Sequence, residues 1–413
     1  MDVETAGVNV FVLNAGSSSL KAAYFKDDAW LQTREPAWSA DIRWTHLPAH
    51  AQLTWSTYGS ADGDGSQQIE IGEYADAITA LIAAAVKHAR VTPEIIGHRV
   101  VHGLDESRCA LVDARIRGVI EAAAELAPLH NPAALAGIDV CAARFPGVAQ
   151  AVDFDTAFHT TLPPAAAAYA LPYDWFETRG VRRYGFHGIS HRYCAQRTAE
   201  VLAVPAHEAR IVSAHLGNGC SLAAVVGGRS VATTMGYTPL DGLMMGTRSG
   251  SVDPGLVLHL LRTSAYTVAE LERILSNESG LAGVSGVSED VRDVIAAAER
   301  GLGRAQLALD MFVSRISAGI AGMAVATGGI DALAFTGGIG EHSDYVRTHV
   351  CARLGLFGIV LGTDGSGEAD REIGDARSTV RVAVIAAREE YAIARDVAVL
   401  ARDARGVDLG VGA

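Results

Sequence analysis

Cysteine is scarce in this chain and never arranged in pairs. The five that occur, Cys109, Cys141, Cys194, Cys220 and Cys351, are scattered, odd in number and without a CxxC spacing. That argues against a disulfide framework and for free thiols in a reducing cytosol. Basic charge is also short. Thirty-four lysines and arginines face 47 acids, a formal net charge of −13. Such a balance excludes nucleic-acid binding as the main task. An anionic ligand must then be met by a local basic cluster, effective within a Debye length of about 8 Å. No apolar stretch is long and uninterrupted enough to span a bilayer. The opening MDVETAGVNVFVLN lacks the basic start and apolar core of a signal peptide, so a cytoplasmic protein is expected. The GxxxxGK[ST] spacing of a Walker A loop is absent as well.

What is present is ample core: 49% hydrophobic and 20% charged residues over 413 positions, too long a chain for one ordinary domain. An apolar run, Val10–Leu13, stops at Asn14-Ala15-Gly16. Three serines follow, and Leu20-Lys21 opens a second strand. Small residues at such a tip present backbone N–H groups, hydroxyls add donors, and Lys21 adds a positive charge, which suits a phosphate; Gly/Ser turns are also often only turns. Residues 30 to 68 read as edge strands and loops. Tyr74 to Ala89 and Asp113 to Ala127 have helical period, and Asn131 is placed to cap a helix with Pro132 at its first position. Val148–Asp153 is a strand leading to Asp155.

The second half repeats the plan of the first. Ile211 to Leu216, the turn Gly217-Asn218-Gly219, and Ser221–Val226 match the opening hairpin, so HLGNGCSLAAVV and LNAGSSSLKAAY read as a degenerate duplication. Arg229–Thr234 follows as a third strand. Thr267 to Glu270 is a capping box, and Gly303 to Ala326 is a long, largely buried helix. Asp331–Phe335 then runs into a third Gly-rich turn, TGGIGE, ahead of a helix whose N-terminus favours anions. Arg381–Ile385 is a late strand, and Glu389 opens the last helix.

Three small-residue turns in this order point to a nucleotide site shared by duplicated domains. A basic set, Arg99, His130, His187, His191 and Arg248, lies in Gly-punctuated polar stretches. Arginine holds carboxylate and phosphate oxygens bidentately, and a histidine beside them can donate to a developing phosphoryl charge. Asp155 ends a strand, the usual place for a carboxylate serving an open α/β site. Glu389 and Glu390 either complement a helix start or help hold Mg²⁺.

The motifs NAGSSSLK, GHRVVHG, PLHNP, FDTAFH, YGFHGISH, HLGNG and TPLDGLMMGTRSG appear in one order over nearly the whole chain. On them the chain resembles the acetate kinase family, short-chain acyl kinases within the actin-like ATPase and sugar-kinase superfamily. The resemblance implies an α/β fold of two duplicated actin-like ATPase (ribonuclease H-like, βββαβαβα) domains with an interdomain cleft. The first domain would span 1–155 and regain about 391–413; the second, 156–390, would carry the nucleotide site. It implies reversible phosphoryl transfer between ATP and acetate with Mg²⁺ (or Mn²⁺), in a homodimer. Arg99, Asp155, His187 and Arg248 would be catalytic, the last histidine and arginine stabilising the transition state. Arg99, Val101, Leu129, Phe186 and Pro239 would surround acetate. Asn14, Ser17, Ser19, Lys21, His215, Leu216, Gly217, Asn218, Gly219, Asp290, Val291, Arg292, Gly338, Ile339 and Gly340 would meet ATP or ADP, and Asn14 and Glu389 the metal.

A carboxylate acceptor is already ionised at neutral pH, so this chemistry requires alignment and charge neutralisation and no general base. Propionate kinase is the close alternative, since it differs mainly in pocket volume. A non-enzymatic ATP clamp would need residues beyond the ATPase core, and none are left over. The chain departs from the family pattern at Gly337 (usually Ala), His342 (Asn), Ala387-Arg388 (Thr then Asn or Asp), Asp241 (Glu) and Ser251 (Asp).

Overall fold

The computed structural model describes residues 7–16, 19–44, 48–128, 130–362, 367 and 369–405. Ser17 and Leu129, both expected at the site, lie outside the described residues. The chain divides into two compact units: Met1–Ala157 with Arg388–Ala413, and Phe158–Ala387.

The first unit is built on β1 (Val10–Ala15), β2 (Ser19–Phe25), β3 (Trp38–Arg43), β4 (Ala49–Thr57), β5 (Ser60–Ile71), β6 (Ile95–Val100), β7 (Ala110–Leu111) and β8 (Ala149–Phe154). They form one sheet in the order β5-β4-β3-β2-β1-β6-β8-β7. β1 pairs antiparallel with β2 and parallel with β6, which in turn runs parallel to β8. Every residue of β1 is buried, as a central strand covered on both faces must be, and the run of Val, Phe and Leu is what such a strand requires. One face packs Phe11, Leu13, Tyr24 and Trp38 against Ile78, Leu81 and Ile82 of the helix Tyr74–Ala84. On the other lies the C-terminal helix Glu389–Arg405. A Cβ on Gly97 of β6 would stand 2.9 Å from Ile393 and 3.0 Å from Val397, so glycine there lets the helix sit close. Residues 30 to 68 are more regular than their polar composition suggests: β3, β4 and β5 extend the sheet as an antiparallel meander, with a short helix Trp30–Thr33 before it.

The second unit carries β9 (Arg210–Leu216), β10 (Cys220–Val226), β11 (Arg229–Thr233), β12 (Ala332–Thr336), β13 (Arg371–Glu372) and β14 (Arg381–Val384), in the order β11-β10-β9-β12-β14-β13. The cores of the two sheets are the same: an antiparallel three-strand meander whose first strand pairs parallel with a fourth, and the fourth with a fifth. The fold is therefore α/β with a duplicated ribonuclease H-like sheet. The helix against the central strands has a different origin in each copy. In the first unit the helix against the central strands comes from the chain's end, Glu389–Arg405; in the second, Gly188–Val201, ahead of β9, packs on the central strands. Glu389 and Glu390, expected in the second domain, consequently stand in the first unit.

The helix Gly303–Ala326 is long and apolar enough to cross a membrane by length and composition. It is not largely buried as expected but packs one face into the second unit: Leu309, Phe312, Ile316 and Ile320 are buried, Leu307 and Val325 are exposed, and Arg304, Asp310 and Arg315 interrupt the apolar sequence. Asn131 does not cap the next helix as expected. His130 holds the N-cap position and Asn131 is the first helical residue. Fully buried, Asn131 donates to the carbonyls of His102 and Ile120 and accepts from the His102 N–H at 3.1 Å. An amide with two donors and an acceptor satisfies buried backbone that would otherwise be stranded.

Candidate active site

In the first unit, the site residues gather where parallel strands end, the place at which open α/β sheets bind ligands. Asn14 near the end of β1 is buried to 6% exposure and faces Lys21 across the hairpin. Its Nδ2 donates to Glu389 Oε2 at 3.0 Å and Glu390 Oε1 at 2.8 Å, and its Oδ1 accepts from Arg99 Nη1 at 3.2 Å. Arg99, on β6, donates through Nε (3.1 Å) and Nη2 (2.6 Å) to the same oxygen, Oδ2, of Asp155. Glu389 lies 4.0 Å from Arg99 Nε. Burial opposes charge on Arg99, but Asp155 and Glu389 outweigh it and hold the guanidinium pKa above its ordinary value. The Lys21 ammonium is likewise held above the usual lysine range, chiefly by Glu390, with Glu389 and Asp41 adding to it.

The turn before Lys21 is braced from outside. Gly16 N–H donates to the Ser19 carbonyl at 2.9 Å, and the Tyr74 hydroxyl donates to the Gly16 carbonyl at 2.9 Å. Tyr74 was not singled out by the sequence, since nothing in a helix pattern announces a contact with a turn nearly sixty residues earlier. Val101 directly follows β6 and is 4% exposed.

In the second unit, the turn 217–219 is closed by Gly217 N–H to the Gly219 carbonyl (3.0 Å) and by Cys220 Sγ donating to the Gly217 carbonyl (3.3 Å). A Cβ on Gly219 would stand 3.2 Å from His187 Cε1, 3.3 Å from His187 Nε2 and 3.6 Å from Arg248 Nη1. Glycine at this one position lets the turn, His187 and Arg248 share a small space. Arg248 donates to the Pro239 carbonyl at 3.3 Å. His187 adopts a left-handed backbone, φ 56°, at the N-cap of Gly188–Val201, and its ring stacks on His215 at 4.2 Å. Phe186 is 1% exposed, and its carbonyl bonds His159 Nε2 at 3.1 Å.

The third Gly-rich turn is itself helical: the helix Gly337–His342 begins directly after β12. Gly337 has φ 77°, and a Cβ there would meet the Leu216 carbonyl oxygen at 2.8 Å, so this start is brought against the His215-Leu216-Gly217 end of β9. Asp290 caps the helix Val291–Glu299 by accepting from the Arg292 N–H, and the Arg292 guanidinium pairs with the same carboxylate. Gly246 packs between the Asn218 amide and Glu289, which brings the Asp290 segment next to the 217–219 turn. Two departures from the family pattern are joined: Ser251 Oγ donates to Asp241 Oδ1 at 2.6 Å, while Asp241 Oδ2 accepts from Arg183. A shorter acid facing a hydroxyl replaces two acids, removing a like charge at a small cost in reach.

The Acetokinase family model matches residues 9–395. An acetate kinase of Synechococcus sp. (strain JA-2-3B'a(2-13)) is 47% identical over 401 residues, covering 94% of this chain and 98% of the relative. Acetate kinase of Porphyromonas gingivalis superposes with a TM-score of 0.84 at 35% identity, covering 95% of this chain and all of that one. A propionate kinase from Francisella tularensis gives a TM-score of 0.85 at 36% identity, covering 94% and 99%. On the family match and the near full-length identity, the chain belongs to the acetokinase family.

Proposed function

We propose that the chain transfers a phosphoryl group reversibly between ATP and acetate, giving acetyl phosphate and ADP. The observation that carries this reading is the half-buried Arg99, held at the strand ends by Asn14 and the buried Asp155 with Glu389 close by. A rigid bidentate cation beside oxygen ligands suits a carboxylate acceptor and a phosphoryl group. Arg99 and Arg248 align the two anions, and His187 donates to the phosphoryl oxygens as charge shifts toward them. The N–H groups of the 217–219 turn, with Asn14, Ser19 and Lys21, hold the phosphates. Asp155 orients Arg99 and takes no proton, since acetate needs no base. The adenosine falls to Asp290, Val291, Arg292 and Gly338-Ile339-Gly340. Val101, Phe186 and Pro239 shape the space for the methyl group.

Mg²⁺ fits the donors present. Asn14 and Glu389, with Glu390 and Asp155 nearby, offer hard oxygen atoms. Among the described residues no group of three or more His, Cys, Asp or Glu could hold an ion, and Mg²⁺ usually takes one or two carboxylates plus water and phosphates. When bound, the ion neutralises phosphate charge.

A hydroxamate assay with ATP and Mg²⁺ tests the activity, run with acetate, propionate and butyrate. Acetate is expected to give the highest kcat/KM. One methylene changes binding by only about 1–3 kcal/mol, so propionate should follow within about tenfold to a hundredfold. The propionate kinase neighbour at equal similarity makes the second reading concrete: propionate ahead of acetate would reassign the substrate, and no product from any acid would overturn the reading.

We extend the proposal to a cytoplasmic homodimer. The five cysteines are buried thiols, as a reducing compartment allows. The helix Pro254–Arg262, PGLVLHLLR, buries none of its residues, with Leu256 49% and Leu258 62% exposed. A short apolar helix with no buried residue supports this reading. Light scattering should show a dimer for the full chain and a monomer for Leu256→Glu/Leu258→Glu. A wild-type monomer at micromolar concentration would refute the dimer.

A further inference from the structure

Behind His187 runs a chain of hydrogen bonds that none of the roles above uses. His187 Nδ1 lies 2.8 Å from Ser221 Oγ; the same oxygen lies 2.7 Å from His191 Nε2; and His191 Nδ1 lies 2.9 Å from Ser213 Oγ. Ser213, Ser221 and His191 are fully buried. The framework is regular structure throughout. His191 sits one helical turn after His187, its N–H bonded to the His187 carbonyl at 2.8 Å. Ser213 is on β9, and Ser221 on β10 faces His215 of β9.

Counting hydrogens constrains this chain. A serine hydroxyl has one hydrogen, and a neutral imidazole has one N–H and one lone pair. Ser221 can donate to only one of its two histidine nitrogens, so it must accept from the other. His191 is fully buried, and burial together with His159 and His215 keeps its pKa well below the ordinary value, so it is neutral with one N–H. Two arrangements remain for a neutral pair. In one, Ser213 donates to His191 Nδ1, His191 Nε2–H donates to Ser221, and Ser221 donates to His187 Nδ1. In the other every bond is reversed. The first leaves the hydrogen of His187 on Nε2, the atom beside the Gly219 turn and Arg248. The second would present a lone pair to an anionic phosphoryl group.

We propose that Ser213, His191 and Ser221 form a directional relay that holds His187 as its Nε2–H tautomer. Ser221 and His191 are positioning residues, acting through His187 and touching no substrate. The tautomer itself is a property of the buried chain; only its consequence for turnover rests on the role given to His187 above.

Ring-¹⁵N-labelled full-length protein, read by two-bond ¹H–¹⁵N correlation near neutral pH, decides the tautomer. The relay requires Nε2–H for both His187 and His191; Nδ1–H at either ring, or a tautomer mixture in the wild type, overturns it. Ser221→Ala should release His187 into a mixture and lower kcat on the order of tenfold or more, with KM for acetate little changed. Ser221→Thr should restore both signals, and His191→Gln, which keeps an N–H donor, should stand above His191→Leu. Ser221→Ala with an unaltered His187 spectrum overturns the relay. A shifted spectrum with unaltered kcat sustains the relay and removes His187 from the reaction. If a variant fails to fold, the wild-type spectrum still decides.

Discussion

Arg99→Ala is expected to lower kcat by about three orders of magnitude or more, the range over which one arginine stabilises a transferring phosphoryl group. The same change removes the guanidinium from Asp155, which is 1% exposed and accepts two of its hydrogen bonds. Breaking a buried pair by deleting one partner costs about 3–5 kcal/mol, so the variant should also unfold at lower urea. Arg99→Lys separates the two effects: it returns a charge to Asp155 without the fork that holds two anions, and should recover stability but not turnover. Arg248→Ala should lose a comparable factor in kcat with a smaller change in stability, because the Pro239 carbonyl that Arg248 bonds is neutral, unlike the buried Asp155 carboxylate. Steady-state kinetics beside urea melts check all three. Near-normal turnover in either alanine variant would refute the clamp.

Acid should destabilise this protein well before its carboxylates titrate. His98, His102 and His159 are buried, and burial lowers each to about 4 from an ordinary 6.5; burial also holds His191 well below that ordinary value. The sign follows from proton counting. Above pH 6.5 folded and unfolded chains both hold these rings neutral, and nothing is gained or lost. Between 6.5 and about 4 the unfolded chain takes up protons that the folded chain refuses, so stability falls as pH falls. At pH 5 each histidine with a folded pKa near 4 costs roughly 2 kcal/mol. His98 and His102 belong to the first unit, His159 and His191 to the second, so both units should weaken. Urea midpoints at pH 7.5 and 5 provide the check, and His98→Gln should flatten part of the slope, since Gln150 bonds its ring at 2.6 Å. A midpoint independent of pH over this range would contradict the neutral burial.

How far the sequence reached depended on whether the determinant was local. The strands β1, β2, β9 and β10, their small-residue turns and the long helix Gly303–Ala326 were legible because period and glycine placement are local properties. The meander after Trp38 was less so: a sheet edge carries polar side chains on its open face, and its alternation resembles loop composition. The Asn131 cap was misread because capping residues and buried bridging amides draw on the same side chains.

By itself, then, the sequence determined the duplicated α/β plan, the family, and which turns and charges belong to one chemistry, because these lie in contiguous motifs. Only the tertiary structure decided how residues far apart in the chain complete one another. It placed Glu389 and Glu390 against Asn14, over 370 positions away, because the last helix packs on β1 and β6. It also threaded Ser213 and Ser221 between histidines of another element. A serine in a strand has no pattern that names its partner. The burial that removes water, and so forces each hydroxyl and imidazole to find one, exists only once the sheet and helix have closed over them.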